Sequence, residues 1–388
     1  MSQSTLLVVL VSLQNLGFNL VHPVTPMFIS ATGMQDWIFG VSYAAMAFTS
    51  FLFSKAAGEL CHRFESRYIF SIGCLGYAAT QLMFLHSACE GQVVFWRLFS
   101  GVFVAMINVA SLVYLVRSSD SENRARYLTY LATATAVTTA LGYTVGGVVG
   151  DGGYDLAFYF QIAVLSAAGL IFVCAGRDYG TERVSIKMLL RNGNPLRLGP
   201  SGYRISGRSI LCLAVALVSI GALTIYEQSL NYYLKDALGF MPADIGYLKG
   251  VIGVITLVSN QFIALRLVHG GRLLHAVGIV FALASILSFS FVGLSTGIAF
   301  VVCNLVFTVF NAVHLPLVQE LVTASDQAHQ EVLVSLYNEM RSAGWVVGGL
   351  VAGFAYAAAP LLPFVFVAAM FALLAVSCLY GEKLSHSL

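Results

Sequence analysis

Charge is the scarcest property of this sequence. Its 388 residues hold 20 Lys and Arg and 18 Asp and Glu, only 10% of the chain. A soluble domain carries about a quarter. So little polar surface cannot cover a water-soluble globule of this size. Cysteine pairing is also missing. Cys61, Cys74, Cys89, Cys174, Cys212, Cys303 and Cys378 are scattered, mostly inside apolar runs, and none forms a Cys-x-x-Cys pair. That argues against a disulfide framework and against a zinc site. No HExxH, phosphate loop or catalytic triad is evident, and the Gly-rich stretches lie inside apolar segments, where they cannot cradle a nucleotide. An enzyme is therefore not expected, nor is any cofactor or metal. The short alternating segments of a β-barrel are lacking too.

What the chain does have is apolar length. Hydrophobic residues make up 58%, and mean hydropathy is +0.83. Many of them fall in runs such as Leu273–Leu294 and Leu361–Leu379, long enough to cross a bilayer as helix. Only helices or closed barrels satisfy their backbones in lipid. We expect an all-α membrane protein with twelve spans, near 5–30, 37–57, 68–88, 93–116, 127–150, 155–175, 209–234, 243–265, 273–294, 297–319, 331–357 and 361–380. The first run passes Asn19, His22 and Pro23 without stopping and is too long for a signal-peptide core. One connection is long and polar. It divides the chain into a six-helix bundle (1–175), a linker (176–208) and a second six-helix bundle (209–388). Sixteen of the 20 lysines and arginines fall in loops on one side if both termini are cytoplasmic, which is the positive-inside pattern. The surrounding membrane is expected to be the cell (plasma or inner) membrane. The basic residues are explained by topology, so nucleic acid is not expected as a partner.

The halves repeat. Gly142-Tyr143-Thr144-Val145-Gly146-Gly147 returns as Gly344-Trp345-Val346-Val347-Gly348-Gly349, 202 positions later, and Asn108 recurs as Asn311. Six spans per half give both halves the same orientation, a parallel repeat.

Twelve spans in two parallel halves joined by a long basic linker resemble the major facilitator superfamily, over nearly the whole chain. Gly58-Glu59-Leu60-Cys61-His62-Arg63-Phe64-Glu65-Ser66-Arg67 is similar to its signature between spans two and three, Gly-x-Leu-x-Asp-Arg-x-Gly-Arg-Arg. His62 replaces the acid that, in the family, helps lock the outward-facing state, and Ser66 replaces the second glycine. Arg97 with Gly101 resembles the span-four Arg-x-x-x-Gly motif. Ala140–Gly147 resembles the span-five motif of the drug/proton antiporters, with Tyr143 where proline is expected, and Gly17–Pro26 also looks like that exporter branch. Gly58, Arg63, Arg67, Arg97, Gly142, Gly146 and Gly147 are thus the candidate gating residues. The resemblance implies alternating access by a monomer and a cavity lined by spans one, four, seven and ten.

Ionisable residues inside spans mark functional sites by default. Glu227 in span seven and Glu339 in span eleven are the candidates for proton coupling. Polar stripes at helical spacing occupy the same four spans: Asn15, Asn19 and His22; Asn108; Tyr226, Glu227, Asn231 and Tyr232; Asn304, Asn311 and His314. With Asn338 they form the candidate substrate-binding set. The plainer reading is that these amides are interhelical hydrogen-bond glue and that the Gly pairs allow close packing. Glu339 has a structural alternative in a buried network with Arg341. Lys249 is read as snorkelling to an outer end. The expected function is proton-coupled export of a small cationic or zwitterionic amphipathic molecule, with Glu227 desolvated in the cavity and carrying the proton. Rivals are export of a polar metabolite such as a sugar or a metal-chelating molecule, uptake by symport, and a lipid mover or transport-like receptor.

Overall fold

The computed structural model describes residues 2–177, 206–268, 270, 272–294, 297–326 and 329–385. Most of the 176–208 linker expected from the sequence lies outside the described residues. Thirteen helices and no strand are found among the described residues: α1 (Gln3–Asn19), α2 (Thr25–Ala31), α3 (Ile38–Arg63), α4 (Ser66–Leu85), α5 (Glu90–Ser118), α6 (Ser121–Gly150), α7 (Tyr154–Ala175), α8 (Gly207–Asp236), α9 (Pro242–Val268), α10 (Leu273–Ser290), α11 (Gly297–Thr323), α12 (Gln330–Ala358) and α13 (Leu362–Ser385). Ten of them are long and apolar enough to cross a membrane. The protein is an all-helical, multi-pass membrane protein.

Two of the twelve expected spans fall outside those ten. The first is divided into α1 and α2, because Pro23 has no N–H to continue the ladder. The chain turns there instead through Leu20 N–H to Gly17 O and Thr25 N–H to Val21 O, at 3.2 and 2.9 Å. The eleventh, α12, is long enough but carries Glu331, Glu339 and Arg341.

The helices assemble into two units, each with its own interior. The first holds the described residues within 1–38, 45–198 and 239–250; the second holds those within 39–44, 199–238 and 251–388. In the first unit, α1 packs on α6 and α7, and α4 packs on α5 and α7. In the second, α8 packs on α12 and α13, and α10 packs on α11 and α13. Shifted by six spans, these are the same neighbours, so the sequence repeat is also a repeat of packing.

Glycine makes the principal contact in each unit. A side chain at Gly142 or Gly146 on α6 would meet the backbone of Leu16 on α1 or of Leu20 just past its end. Gly344 and Gly348 on α12 meet Ile220, Gly221 and Thr224 on α8 in the same way. The second glycine of each pair faces another helix. Gly147 abuts Pro242 and Gly246 at the start of α9, which places that segment in the first unit. Gly349 abuts Gly40 and Ala44 on α3, which places 39–44 in the second. Hydrogen bonds add to this packing. The Ser285 and Ser288 hydroxyls on α10 donate to Ala368 O and Phe364 O on α13, at 2.8 and 3.0 Å. Gln81 on α4 donates to Gln161 on α7 at 2.8 Å, and Gln161 donates to Gly17 O on α1 at 3.0 Å.

Gly348→Leu is expected to destabilise the protein by about 1–3 kcal/mol through overpacking, because Gly221 O and Thr224 leave no room for a side chain. Gly91→Ala, where nothing lies within 4 Å of the added carbon, is expected to leave the melting temperature unchanged. Thermal unfolding of both purified variants checks the pair.

Candidate functional site

The second unit contains a cavity of about 680 Å³. Five helices supply its wall. Tyr43 comes from α3, and Ile220, Leu223 and Glu227 from α8. Leu257, Asn260, Gln261, Ala264, Leu265 and Val268 come from α9, Leu315, Pro316 and Gln319 from α11, and Tyr337, Arg341 and Trp345 from α12.

Local helix irregularity helps shape this wall. Residues Asn260–Ala264 of α9 form a π-helical turn. A π-bulge inserts one extra residue in the turn and often marks a functional site. Asn260, Gln261, Ala264 and Leu265 all reach the cavity from this stretch. Across from it, Pro316 lies inside α11, where its missing N–H leaves the Ala312 carbonyl without its helical donor. Both irregularities border the same space.

The wall combines opposite charges with flat rings and amides. Glu227 and Arg341 both lie within electrostatic reach of Tyr43. The Arg341 guanidinium sits 5.0 Å from the centre of the Trp345 ring, a cation–π arrangement. The Asn260 side-chain oxygen is buried with no hydrogen-bond partner among the described residues, leaving an acceptor for a ligand donor. Such a wall suits a flat molecule carrying a cationic group for Glu227, with Arg341 to receive an anionic one.

Glu227 is the one expected site residue in this wall, and its position departs from expectation in one respect. The carboxylate is exposed to the open cavity, not desolvated. The other expected site residues of α8 and α11 point into packing. Tyr226 is buried, accepts a hydrogen bond from Asn304 Nδ2 at 2.9 Å, and lies 4.6 Å from the Phe307 ring. Tyr232 stacks on Phe39 at 4.8 Å and meets Tyr356 edge-on at 5.0 Å. His314 is held between Phe281 and Phe371, at 5.8 and 5.5 Å. Asn231, Asn304 and Asn311 are buried, each with a side-chain oxygen that has no partner among the described residues. On α12, Glu339 is half-buried outside the cavity wall. Asn338 is exposed and bonds back to Val334 O of its own helix.

In the first unit, Asn15 acts as glue. Its Nδ2 donates to Thr135 O and the Thr139 hydroxyl on α6, both at 2.8 Å. Asn19 donates to Asn15 O at 2.7 Å, and Asn108 is exposed on α5. His22 is half-buried and stacks on Tyr143 at 5.3 Å. The signature residues join helix ends. Arg67 pairs with Glu65 and donates to Gly176 O at 2.6 Å, tying α4 to the end of α7. Arg63 lies over the Phe64 ring, and Gly58 faces Val109 loosely. Arg97 is buried over the Phe84 ring at 4.3 Å. Lys249 does not snorkel: it is buried, with its ammonium 5.5 Å from the centre of Tyr143.

The polar stripes did not point to Tyr43, Asn260, Gln261, Gln319, Tyr337 or Trp345 as cavity residues. A Pro inside a span at 316 and the adjacent amides at 260–261 were the available signals.

The family model of the Major Facilitator Superfamily matches residues 7–349, and the chain belongs to that superfamily. Among curated proteins it is similar to multidrug resistance protein 1 of Bacillus subtilis (strain 168), 22% identical over 301 residues covering 74% of each chain. It is also similar to the quinolone resistance protein NorA of Staphylococcus aureus, 22% identical over 230 residues, 59% of this chain and 58% of NorA. Among solved structures, the nucleoside transporter NupG superposes with a TM-score of 0.72 at 13% identity, over 99% of this chain and all of that one. That likeness concerns the fold. Together with the resemblance to the drug/proton antiporter branch, these matches identify a membrane transporter.

Tyr226→Phe removes the acceptor of the buried Asn304 amide. It should cost about 1–3 kcal/mol, the penalty of a stranded buried donor, and leave the cavity wall intact. Thermal unfolding of the variant measures this.

Proposed function

We propose that this chain is a proton-coupled exporter of small aromatic cations or zwitterions, working by alternating access as a monomer in the cell (plasma or inner) membrane. Its bundles would be 1–175 and 209–388, with 176–208 and both termini in the cytoplasm. The observation that carries the reading is the placement of Glu227 in one cavity with Arg341 and the rings of Tyr43, Tyr337 and Trp345. A carboxylate open to such a cavity can hold either a proton or a cationic group, but not both. Proton binding from one side would then release substrate, and proton loss to the other side would restore the site. The aromatic faces favour a flat cation, and Arg341 extends the range to zwitterions. The drug-resistance names of the relatives agree with export of such molecules. Glu339 is kept as a secondary proton residue, since it lies on the same helix as Arg341.

A second reading has its own observation. Asn260, Gln261 and Gln319 line the same cavity, and three amides would suit a polar metabolite such as a sugar.

The test is transport in proteoliposomes under a pH gradient, with ethidium as the flat aromatic cation. Glu227→Gln is expected to lower gradient-driven flux by about ten-fold or more, the size of a lost charge-assisted contact. Undiminished flux in that variant would remove Glu227 from the mechanism. Gradient-driven flux of a neutral sugar, with none of the cation, would favour the second reading.

A further inference from the structure

The first unit holds a group of basic side chains of its own. His22, in the turn between α1 and α2, has two charged groups within electrostatic reach, Arg97 on α5 and Lys249 on α9. All three belong to the first unit. Arg97 is 5% exposed and Lys249 8%. The group acting on Arg97 is the Tyr77 hydroxyl. Among the described residues, no carboxylate acts on either His22 or Arg97.

Burying cations in this way is costly unless something pairs with them. Arg97 touches groups that are weak partners for a full charge: the Met46 sulfur at 3.7 Å, the Phe84 ring face at 4.3 Å and the Tyr77 phenol. Its Nε is buried with no acceptor among the described residues. A guanidinium edge with an unused donor matches a carboxylate, which takes two parallel hydrogen bonds from arginine.

The surroundings specify the rest of the ligand. Aromatic rings run continuously from one cation to the next. Lys249 lies over Tyr143 at 5.5 Å, and Tyr143 stacks on His22 at 5.3 Å with 20° between planes. His22 meets Phe18 at 5.7 Å, and Phe18 stacks on Tyr77 at 5.4 Å with 23° between planes. These rings are stacked on one another, and their remaining faces and edges put aromatic surface beside the cations. His22 and Tyr143 are half-buried, so the group is not sealed.

We propose that Arg97, Lys249 and His22, set among Tyr77 and Tyr143, form a binding site for an organic anion, specifically a flat aromatic carboxylate. Arg97 grips the carboxylate, Lys249 supplies the second charge, and the rings hold the aromatic body. This site is opposite in charge preference to Glu227 and is independent of the cation reading given above.

The test is binding to the purified full-length protein, with salicylate as the anion and its neutral amide, salicylamide, as the control. Salicylate is expected to bind and to raise the melting temperature, with salicylamide about ten-fold weaker or worse. Arg97→Gln and Lys249→Gln should each weaken salicylate by a similar factor, and Arg97→Lys should retain part of the affinity. The Lys249 variant keeps the test valid if Arg97→Gln fails to fold. Glu227→Gln should leave salicylate affinity in place, so failure of the export reading and failure of this one are told apart. Equal binding of salicylate and salicylamide would overturn the proposal. So would unchanged salicylate affinity in Lys249→Gln, loss of it in Glu227→Gln, or stabilisation by phosphatidylglycerol with no response to salicylate.

Discussion

Inside hydrocarbon, helices gain nothing by hiding apolar side chains from one another, so they must hold together by close backbone approach and a few hydrogen bonds. Gly142 and Gly146 against Leu16 and Leu20 meet that requirement in the first unit, and Gly344 and Gly348 against Ile220–Thr224 meet it in the second. The same residue type on the same span of each half solves the same packing problem. Other features depend on these contacts. They fix α6 beside α1 and α12 beside α8, and α8 and α12 carry Glu227 and Arg341. Carboxylate and guanidinium therefore share one cavity because two glycine faces bring their helices together.

Polar groups in this chain divide into two kinds. Most of those in the described spans are used up in packing. Asn15 is bound to α6, Gln81 and Gln161 to each other, Asn304 to Tyr226. Unused capacity remains at several buried groups, among them Asn231, Asn304, Asn311 and His314, and also at Asn260 on the Glu227 cavity and at Arg97 in the basic cluster. Buried polar groups are normally satisfied; of these, Asn260 lines a cavity and Arg97 lies within reach of His22, which is half-buried. One cluster sets a carboxylate and a guanidinium among aromatics and amides, the other sets basic groups among aromatics. Their chemistry suits opposite charges.

The membrane-spanning helical class was legible from composition alone, since 10% charge and long apolar runs leave no soluble alternative. The repeat was legible because glycine packing needs glycine in both halves. The cavity wall was much less so. Helical spacing places Tyr226, Asn231, Asn304 and Asn311 on polar stripes, but a stripe facing a neighbouring helix and one facing a cavity have the same period. Tertiary packing decides between them, and here aromatic neighbours such as Phe307 enclose Tyr226. Asn260 and Gln261 were passed over because a regular helix turns adjacent residues apart. The π-helical turn brings both to the wall, and no spacing rule announces it. Lys249 read as an end-of-span residue, yet it is buried with its ammonium over an aromatic face. The break between α1 and α2 was foreshadowed only by Pro23.

The central claim is that substrate and proton compete for Glu227. Equilibrium binding of ethidium to the purified protein as a function of pH measures that competition without a membrane gradient. The account predicts that affinity falls as pH is lowered, because a protonated carboxyl no longer attracts the cation, and that this pH dependence vanishes in Glu227→Gln. An affinity independent of pH in the unmodified protein, or the same pH dependence in the variant, would contradict it.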